Sequence, residues 1–430
     1  MAKILLTSTP FQGHVAPIEA IAADLTNRGH EVLVYTGARF EERVLRTGAR
    51  FVPYAAEVDY DDRDLDGSFP GRKHLAPVDR FNFDLKHVFA DAIPAHDERI
   101  QKLLTEFPAS VVMGEVGSFG LLPMALRAPR GRRPLVVTVS ADPPLFDSVD
   151  TAPYGPGLPP PAVDEDRARY EGIRQDARAM FADGQQHVER VFASMGVTLP
   201  DFIFNACATI PDRMLQLTVP EFEYPRSDAP EGFRCIGPLP PAPEPDSHLP
   251  EWWHDLPAGR PVVVVTQGTL ENDDLTQLLI PTLRALADMD VTVIAATARP
   301  DGPGMVREVM GETIPGNAHV AGFVPFDRLL PAADLLITNA GYGGVQTALR
   351  HGVPLVVGGE TEGKPEVAAR VEWSGVGINL RTARPDVAAI RSAVDQVLSG
   401  SRYRERADWI RTRIQQSRPF DAIAEIVEQA

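Results

Sequence analysis

The chain has 430 residues, 44% hydrophobic and 23% charged, which is enough for two or three folded domains with large buried cores. Its formal charge of −17 repels nucleic acid and anionic membrane, so neither is an expected partner. Two cysteines, Cys207 and Cys235, are too few for a disulfide framework or a zinc site, and no apolar run reaches the roughly 18 residues of a membrane span, so a reducing cytoplasm is the expected location.

Residues 3–9, KILLTST, read as a buried strand. A turn through Gly13 and His14 enters a helix that runs to about Arg28 and stops at Gly29. Strands over Glu31–Tyr35 and Arg50–Tyr54 flank a helix over Phe40–Thr47. This βαβαβ alternation predicts a parallel sheet with helices on both faces. No GxGxxG follows the first strand, which argues against a dinucleotide-binding half. Residues 57–80 read as an acidic loop, 97–106 as a helix, and Ser110–Glu115 and Leu135–Ser140 as strands. A proline-rich loop, 143–161, then precedes a long polar helix over about 164–194. Met214–Val219 and Phe233–Ile236 close the first half.

The stretch 238–250 is rich in proline and predicts a semi-rigid linker. A second βα series follows: strand 261–266, helix 273–287, strands 290–296 and 318–322, then Leu335–Val357. There an apolar strand meets Asn339-Ala-Gly341-Tyr-Gly343-Gly344, and Val345, Ala348 and Leu349 recur at helical spacing. A glycine turn opening a helix exposes N–H groups where the helix dipole is positive, which is a seat for phosphate oxygens. An ordinary βα turn needing glycine for geometry alone is the plainer alternative. A last strand near 376–380 and helices near 385–398, 401–416 and 420–428 complete the chain.

His14 lies where the first strand hands over to a helix, a place from which a neutral imidazole can take a proton from a hydroxyl. Glu115 ends another strand of the same half. From spacing alone it reads as a solvated loop residue. Gln267-Gly268-Thr269 is a second glycine turn at a strand end, and Glu360, Glu362 and Lys364 follow the strand 353–357. No cluster of acids, histidines and cysteines has metal-ligand spacing.

Several stretches, in this order and spacing, resemble the family-one glycosyltransferases of the GT-B fold, in particular the bacterial natural-product branch that includes macrolide glycosyltransferases. They are Pro10-Phe-Gln-Gly-His14-Val-Ala-Pro17, Cys235-Ile-Gly-Pro-Leu239, Gln267-Gly-Thr269, Val320-Ala-Gly-Phe-Val-Pro325, Asn339-Ala-Gly-Tyr-Gly-Gly344, Gly352-Val-Pro354 and Pro365-Glu-Val-Ala-Ala-Arg370. The resemblance covers nearly the whole chain. It implies two doubly wound α/β domains facing across a cleft: an acceptor domain over 1–237, a nucleotide-sugar domain over 251–415, and a last helix, 416–430, that crosses back.

The resemblance further implies an inverting transfer from a UDP-sugar, or a dTDP-sugar, to a hydroxyl of an apolar small molecule, with no metal and no cofactor beyond the nucleotide sugar. His14 takes the role of general base and Glu115 that of the usual Asp that orients it. The implied donor set is Gly13, Gly268, Thr269, Phe323, Val324, Asn339, Gly341, Gly343, Gly344, Val345, Gln346, Glu362 and Lys364. Glu115, one methylene longer than that Asp, departs from the family pattern, and three further departures fall in the donor site. Asn339 stands for a phosphate-contacting His, Thr347 for a ribose-binding Glu, and Gly363-Lys364 for the Asp-Gln pair that reads sugar hydroxyls. The rival expectation is a non-catalytic auxiliary member that stabilises a partner transferase. A monomer or weak dimer is the default expectation for assembly.

Overall fold

The computed structural model describes residues 1–240, 249–255, 259–269 and 272–430. Its apolar runs pair into two sheets in which every strand is parallel to its neighbours. The first sheet holds β1 (Lys3–Thr7), β2 (Glu31–Thr36), β3 (Arg50–Pro53), β4 (Val111–Glu115), β5 (Leu135–Ser140), β6 (Arg213–Gln216) and β7 (Phe233–Cys235), in the order β3-β2-β1-β4-β5-β6-β7. The second holds β8 (Val262–Thr266), β9 (Thr292–Ala296), β10 (Ala318–Ala321), β11 (Leu335–Thr338), β12 (Leu355–Val357) and β13 (Gly377–Asn379), in the order β10-β9-β8-β11-β12-β13.

Helices cover both faces, so the central strands are apolar throughout instead of alternating. All of β4 and β5 is buried. Alternate residues enter opposite cores: Ile4 and Leu6 pack on one side of the first sheet and Leu5 on the other, and Val264 is split from Val263 and Val265 in the second.

Strand order reverses once in each sheet, between β1 and β4 and between β8 and β11. Loops leave such a point in opposite directions and open a crevice at the carboxyl ends, where ligands of doubly wound sheets bind. Thr7 pairs with Gly114, and Thr266 with Thr338, so both strands of each pair end level. The residues that follow β1 and β4 therefore meet, as do those that follow β8 and β11.

Some elements differ from expectation for local reasons. The stretch 57–80 is partly helical, with short turns at Asp62–Asp64 and Leu65–Ser68 and a helix at Pro77–Phe83. Asp61 and Asp64 cap the two short turns with side-chain oxygens. The long polar helix divides into Asp164–Met180 and Ala182–Ser194. The break falls at Phe181, whose ring packs 4.7 Å from Phe81 and 6.3 Å from Phe204. Helix Lys364–Trp373, with Pro365 in its first turn, is absent from the sequence reading. The linker expected over 238–250 lies outside the described residues from 241 to 248.

The final helix, Pro419–Glu428, places Ile423 and Val427 in the core of the first sheet beside Ile4, Leu6 and Val111. Among the described residues no helix is long and apolar enough to cross a membrane.

Candidate active site

The level ends of β1 and β4 bring residues more than a hundred positions apart into one hydrogen-bonded group. His14 stands in the first turn of helix Gln12–Asn27, and its Nδ1 lies 3.1 Å from Glu115 Oε2 and 2.8 Å from Thr9 Oγ1. The single proton of the Thr9 hydroxyl goes to Glu115 Oε1, 2.7 Å away. Thr9 therefore accepts from His14, which puts the proton on Nδ1 and leaves Nε2 as the basic nitrogen of the neutral ring.

Glu115 is not the solvated loop residue that spacing indicated. It is 5% exposed and also accepts from the N–H of Thr9 at 3.2 Å, the N–H of Gly117 at 2.6 Å and the Ser118 hydroxyl at 3.2 Å. That many donors fix the carboxylate as an anion. Burial works against its charge, but His14, the Gly117 amide and Thr9 prevail and hold its pKa down at about 2. Burial likewise opposes charge on His14. The Glu115 carboxylate, joined by Asp142 and Asp62, overrides it and lifts the imidazole to about 9. The His14 side chain keeps 28% of its surface open, and none of the hydrogen bonds among the described residues uses Nε2.

Aromatic rings surround this base. Phe11 lies 5.3 Å from the His14 ring, 5.4 Å from Tyr60 and 6.1 Å from Phe89, and Phe89 lies 5.6 Å from Phe119. The void among Thr9, Tyr60, Phe89 and Phe119 is about 20 Å3, close to one water's worth.

The second sheet carries the glycine turn expected to seat phosphate. Helix Tyr342–Arg350 has Gly341 as N-cap and no side-chain cap bond, so the N–H groups of Tyr342, Gly343 and Gly344 have no partner within the helix. A Cβ built on Gly343 or Gly344 meets nothing within 4 Å, so the helix surface is open beside these two residues. The turn is tight enough to hold buried Ala340 at φ 65°, and Glu362, at the end of the neighbouring strand β12, sits at φ 54°. Such conformations in non-glycine residues gather at functional sites.

The expected donor residues divide into two groups. Gly268 (φ 72°) and the exposed Thr269 form the turn after β8, and a Cβ at Gly268 would lie 3.5 Å from Asn339 Oδ1. Asn339 Nδ2 donates to the Gln267 carbonyl, tying the two turns together. Glu362 pairs with Lys364 Nζ at 2.8 Å, and Lys364 also donates to Thr361 Oγ1 at 3.2 Å. Phe323 is 61% exposed, and Gly13 lies in the first turn of the His14 helix with nothing near its Cβ position.

Three of the expected donor residues are committed elsewhere. Val345 is fully buried and its N–H is bonded to the Gly341 carbonyl at 3.1 Å. Gln346 turns to the first domain and donates to Thr218 Oγ1 at 2.8 Å. Val324 is 8% exposed and belongs to the core of the second sheet. Thr347 bonds back to the Gly343 carbonyl at 2.8 Å, as threonines in helices often do.

Sequence reasoning missed the residues that join the two halves. Gly155 and Gly157, in the proline-rich loop, each donate an N–H at 2.9 Å to Glu366 Oε1. Arg370, 1% exposed, binds Glu223 through Nε and Nη2 at 2.7 Å each, and Glu366 Oε2 at 3.0 Å. Gln216 Nε2 donates to the Tyr342 hydroxyl at 3.2 Å. Glu366 and Arg370 lie in the family-like stretch Pro365–Arg370 and Gly155 and Gly157 in the proline-rich loop, but the sequence does not show that these segments pair.

Comparison with known proteins bears on this geometry. Residues 281–429 match a family model described as the C-terminal domain of erythromycin biosynthesis protein CIII-like proteins. The chain is 39% identical to UDP-glycosyltransferase 2 of Phaeomoniella chlamydospora, covering 99% of this chain and 95% of that protein. It is 40% identical to 4'-demethylrebeccamycin synthase of Lentzea aerocolonigenes, covering 95% of each. Among solved structures, the glycotransferase of kitacinnamycin superposes with a TM-score of 0.75 at 21% identity, covering 100% of this chain and 98% of that one. The calicheamicin glycosyltransferase CalG4 gives 0.71 at 21%, with the same coverage.

Proposed function

The chain belongs to the UDP-glycosyltransferase family, and we propose that it moves a hexose from a UDP-sugar to a hydroxyl of an apolar small molecule, with inversion at the anomeric carbon. The observation that carries this reading is the His14–Thr9–Glu115 group at one switch point, set against an uncapped, glycine-lined helix start at the other.

The chemistry follows from these groups. Nε2 of His14 takes the acceptor's proton as its oxygen attacks the anomeric carbon. The bond to the diphosphate oxygen breaks on the opposite side, so one displacement inverts the configuration. Charge develops on the diphosphate, and the N–H groups of Gly343 and Gly344, which have no partner within the helix, stabilise it. Glu115 stabilises the imidazolium that forms and keeps the ring's Nε2 toward the reaction. Rings of Phe11, Tyr60 and Phe89 favour an apolar, ring-bearing acceptor. UDP is favoured as the nucleotide because relatives of 32–39% identity over nearly full length are named for it. dTDP is the other candidate. A complete base–carboxylate pair favours a catalyst over an auxiliary protein.

The test is incubation with UDP-α-glucose and a panel of phenolic and polyketide alcohols, followed by proton NMR of the product. A β-glucoside is expected. An α-glucoside contradicts the single displacement. Absence of both transfer and calorimetric UDP binding contradicts the function.

A further inference from the structure

A carboxylate stands between the two halves of the site and has no part in the scheme above. Asp142 follows β5, and its backbone is held firmly: the Ser140 hydroxyl and Gln216 Nε2 each donate to its carbonyl at 2.8 Å, and its N–H donates to Ser140 Oγ at 3.3 Å. The same Gln216 amide reaches the hydroxyl of Tyr342, the opening residue of the phosphate-seat helix. The peptide of Asp142 is thus held within the first domain, and Gln216 links it to the second.

Its side chain is placed differently. None of the hydrogen bonds or ion pairs among the described residues uses either carboxylate oxygen of Asp142. Oδ1 lies 3.9 Å from where a Cβ on Gly363 would be, and the Tyr154 hydroxyl lies 2.7 Å from that same point. The Tyr154 hydroxyl takes the room that a side chain at 363 would need, and the Asp142 carboxylate stands beside it at ordinary contact distance. Asp142 feels the charges of His14 and Glu115 on one side and of Glu362 and Lys364 on the other, and burial raises its pKa. It therefore stands between the base, which must face the anomeric carbon, and the donor edge of β12. A half-buried carboxylate at this crevice, with no donor from the described residues on either oxygen, is open to donors from a ligand.

We propose that Asp142 reads the donor sugar from the acceptor domain, accepting hydrogen bonds from one or two of its ring hydroxyls. The inference rests on the transfer reading above. It gives the first domain a share in donor choice, since the sugar can be read only when the two domains are closed on each other. Charge-assisted bonds to a carboxylate are the stronger kind, and a site built around them penalises analogues that lack the hydroxyl.

The experiment compares UDP-glucose with its 3-, 4- and 6-deoxy analogues in the full-length wild-type chain and in Asp142→Ala and Asp142→Asn. UDP binding is measured alongside by calorimetry. Wild type is expected to disfavour at least one deoxy analogue by about tenfold or more in kcat/KM. Asp142→Ala is expected to treat that analogue and UDP-glucose alike, and Asp142→Asn to keep part of the preference, with UDP affinity unchanged in both. Wild-type discrimination preserved in Asp142→Ala overturns this inference alone. A parallel loss of UDP affinity marks a structural role and also overturns it. A wild type that neither binds UDP nor transfers overturns the transfer reading and this inference with it.

Discussion

His14→Ala is expected to lower kcat by about 10²–10⁴-fold, the span that one placed general base contributes. UDP affinity should stay the same, because the proposed diphosphate seat lies in the other domain. The loss belongs to the chemical step: without the imidazole, the attacking alcohol gives its proton to water. The surroundings of His14 add a pH signature. Burial opposes its charge, but Glu115, Asp142 and Asp62 raise the imidazole to about 9. A base works only when unprotonated, so kcat/KM of the free enzyme should climb with pH from 7 toward 9.

Glu115→Gln removes the largest attraction and leaves burial against the weaker pull of Asp142 and Asp62, so the rise should move to lower pH. Activity should fall as well, because the amide no longer steadies the imidazolium. An unchanged profile in Glu115→Gln would separate the observed rise from His14. Full activity in His14→Ala would remove the base altogether.

Arg370→Leu is expected to destabilise the fold by about 3–5 kcal/mol, read as a lower urea midpoint at constant slope. Arg370 is the largest fully buried side chain, lying over the Tyr224 ring at 4.2 Å and binding both Glu223 and Glu366. Burial alone would weaken its hold on its proton. The two carboxylates reverse that, and burial of Glu223 is likewise outweighed by Arg370 and Arg226. Leucine would leave both carboxylates enclosed and short of a cation. Arg226 still reaches Glu223 at 2.8 Å, so Glu366 should be the more exposed to the loss.

The consequence extends to function. Glu366 also holds the Gly155 and Gly157 amides, so a shift in its side chain should loosen the proline-rich loop at the crevice. The triple variant Arg370→Leu, Glu223→Gln, Glu366→Gln should recover part of the stability, since it removes the stranded charges. A change below about 1 kcal/mol in Arg370→Leu would mean that this cluster is open to water.

Much of the first sheet is legible in the sequence because its strands are short apolar runs closed by glycine or proline. Leu135–Ser140 matches the strand observed, and Lys3–Thr7 falls short of 3–9 because the chain turns off the sheet after β1. Ends governed by distant contacts are less legible. Helix 273–287 contracts to Leu279–Ala285, and the break at Phe181 depends on rings from two other segments.

The site shows the same division. His14, the 341–344 turn and Gly268-Thr269 announce themselves by local pattern. Glu115 shows its character only in the fold, since its donors come from Thr9, Gly117 and Ser118 through the pairing of β1 with β4. Asp142, Glu366 and Arg370 act across the two domains. Val345 and Gln346 follow the helical pattern as read, but that pattern does not tell which face meets the core and which meets the other domain.

A crystal structure with UDP and an acceptor alcohol tests the proposed arrangement most directly. The β-phosphate should lie within about 3 Å of the N–H groups of Gly343 or Gly344, with the alcohol oxygen in hydrogen-bond reach of His14 Nε2. Diphosphate bound away from the 341–344 turn, or an alcohol seated where His14 cannot reach it, would contradict the arrangement.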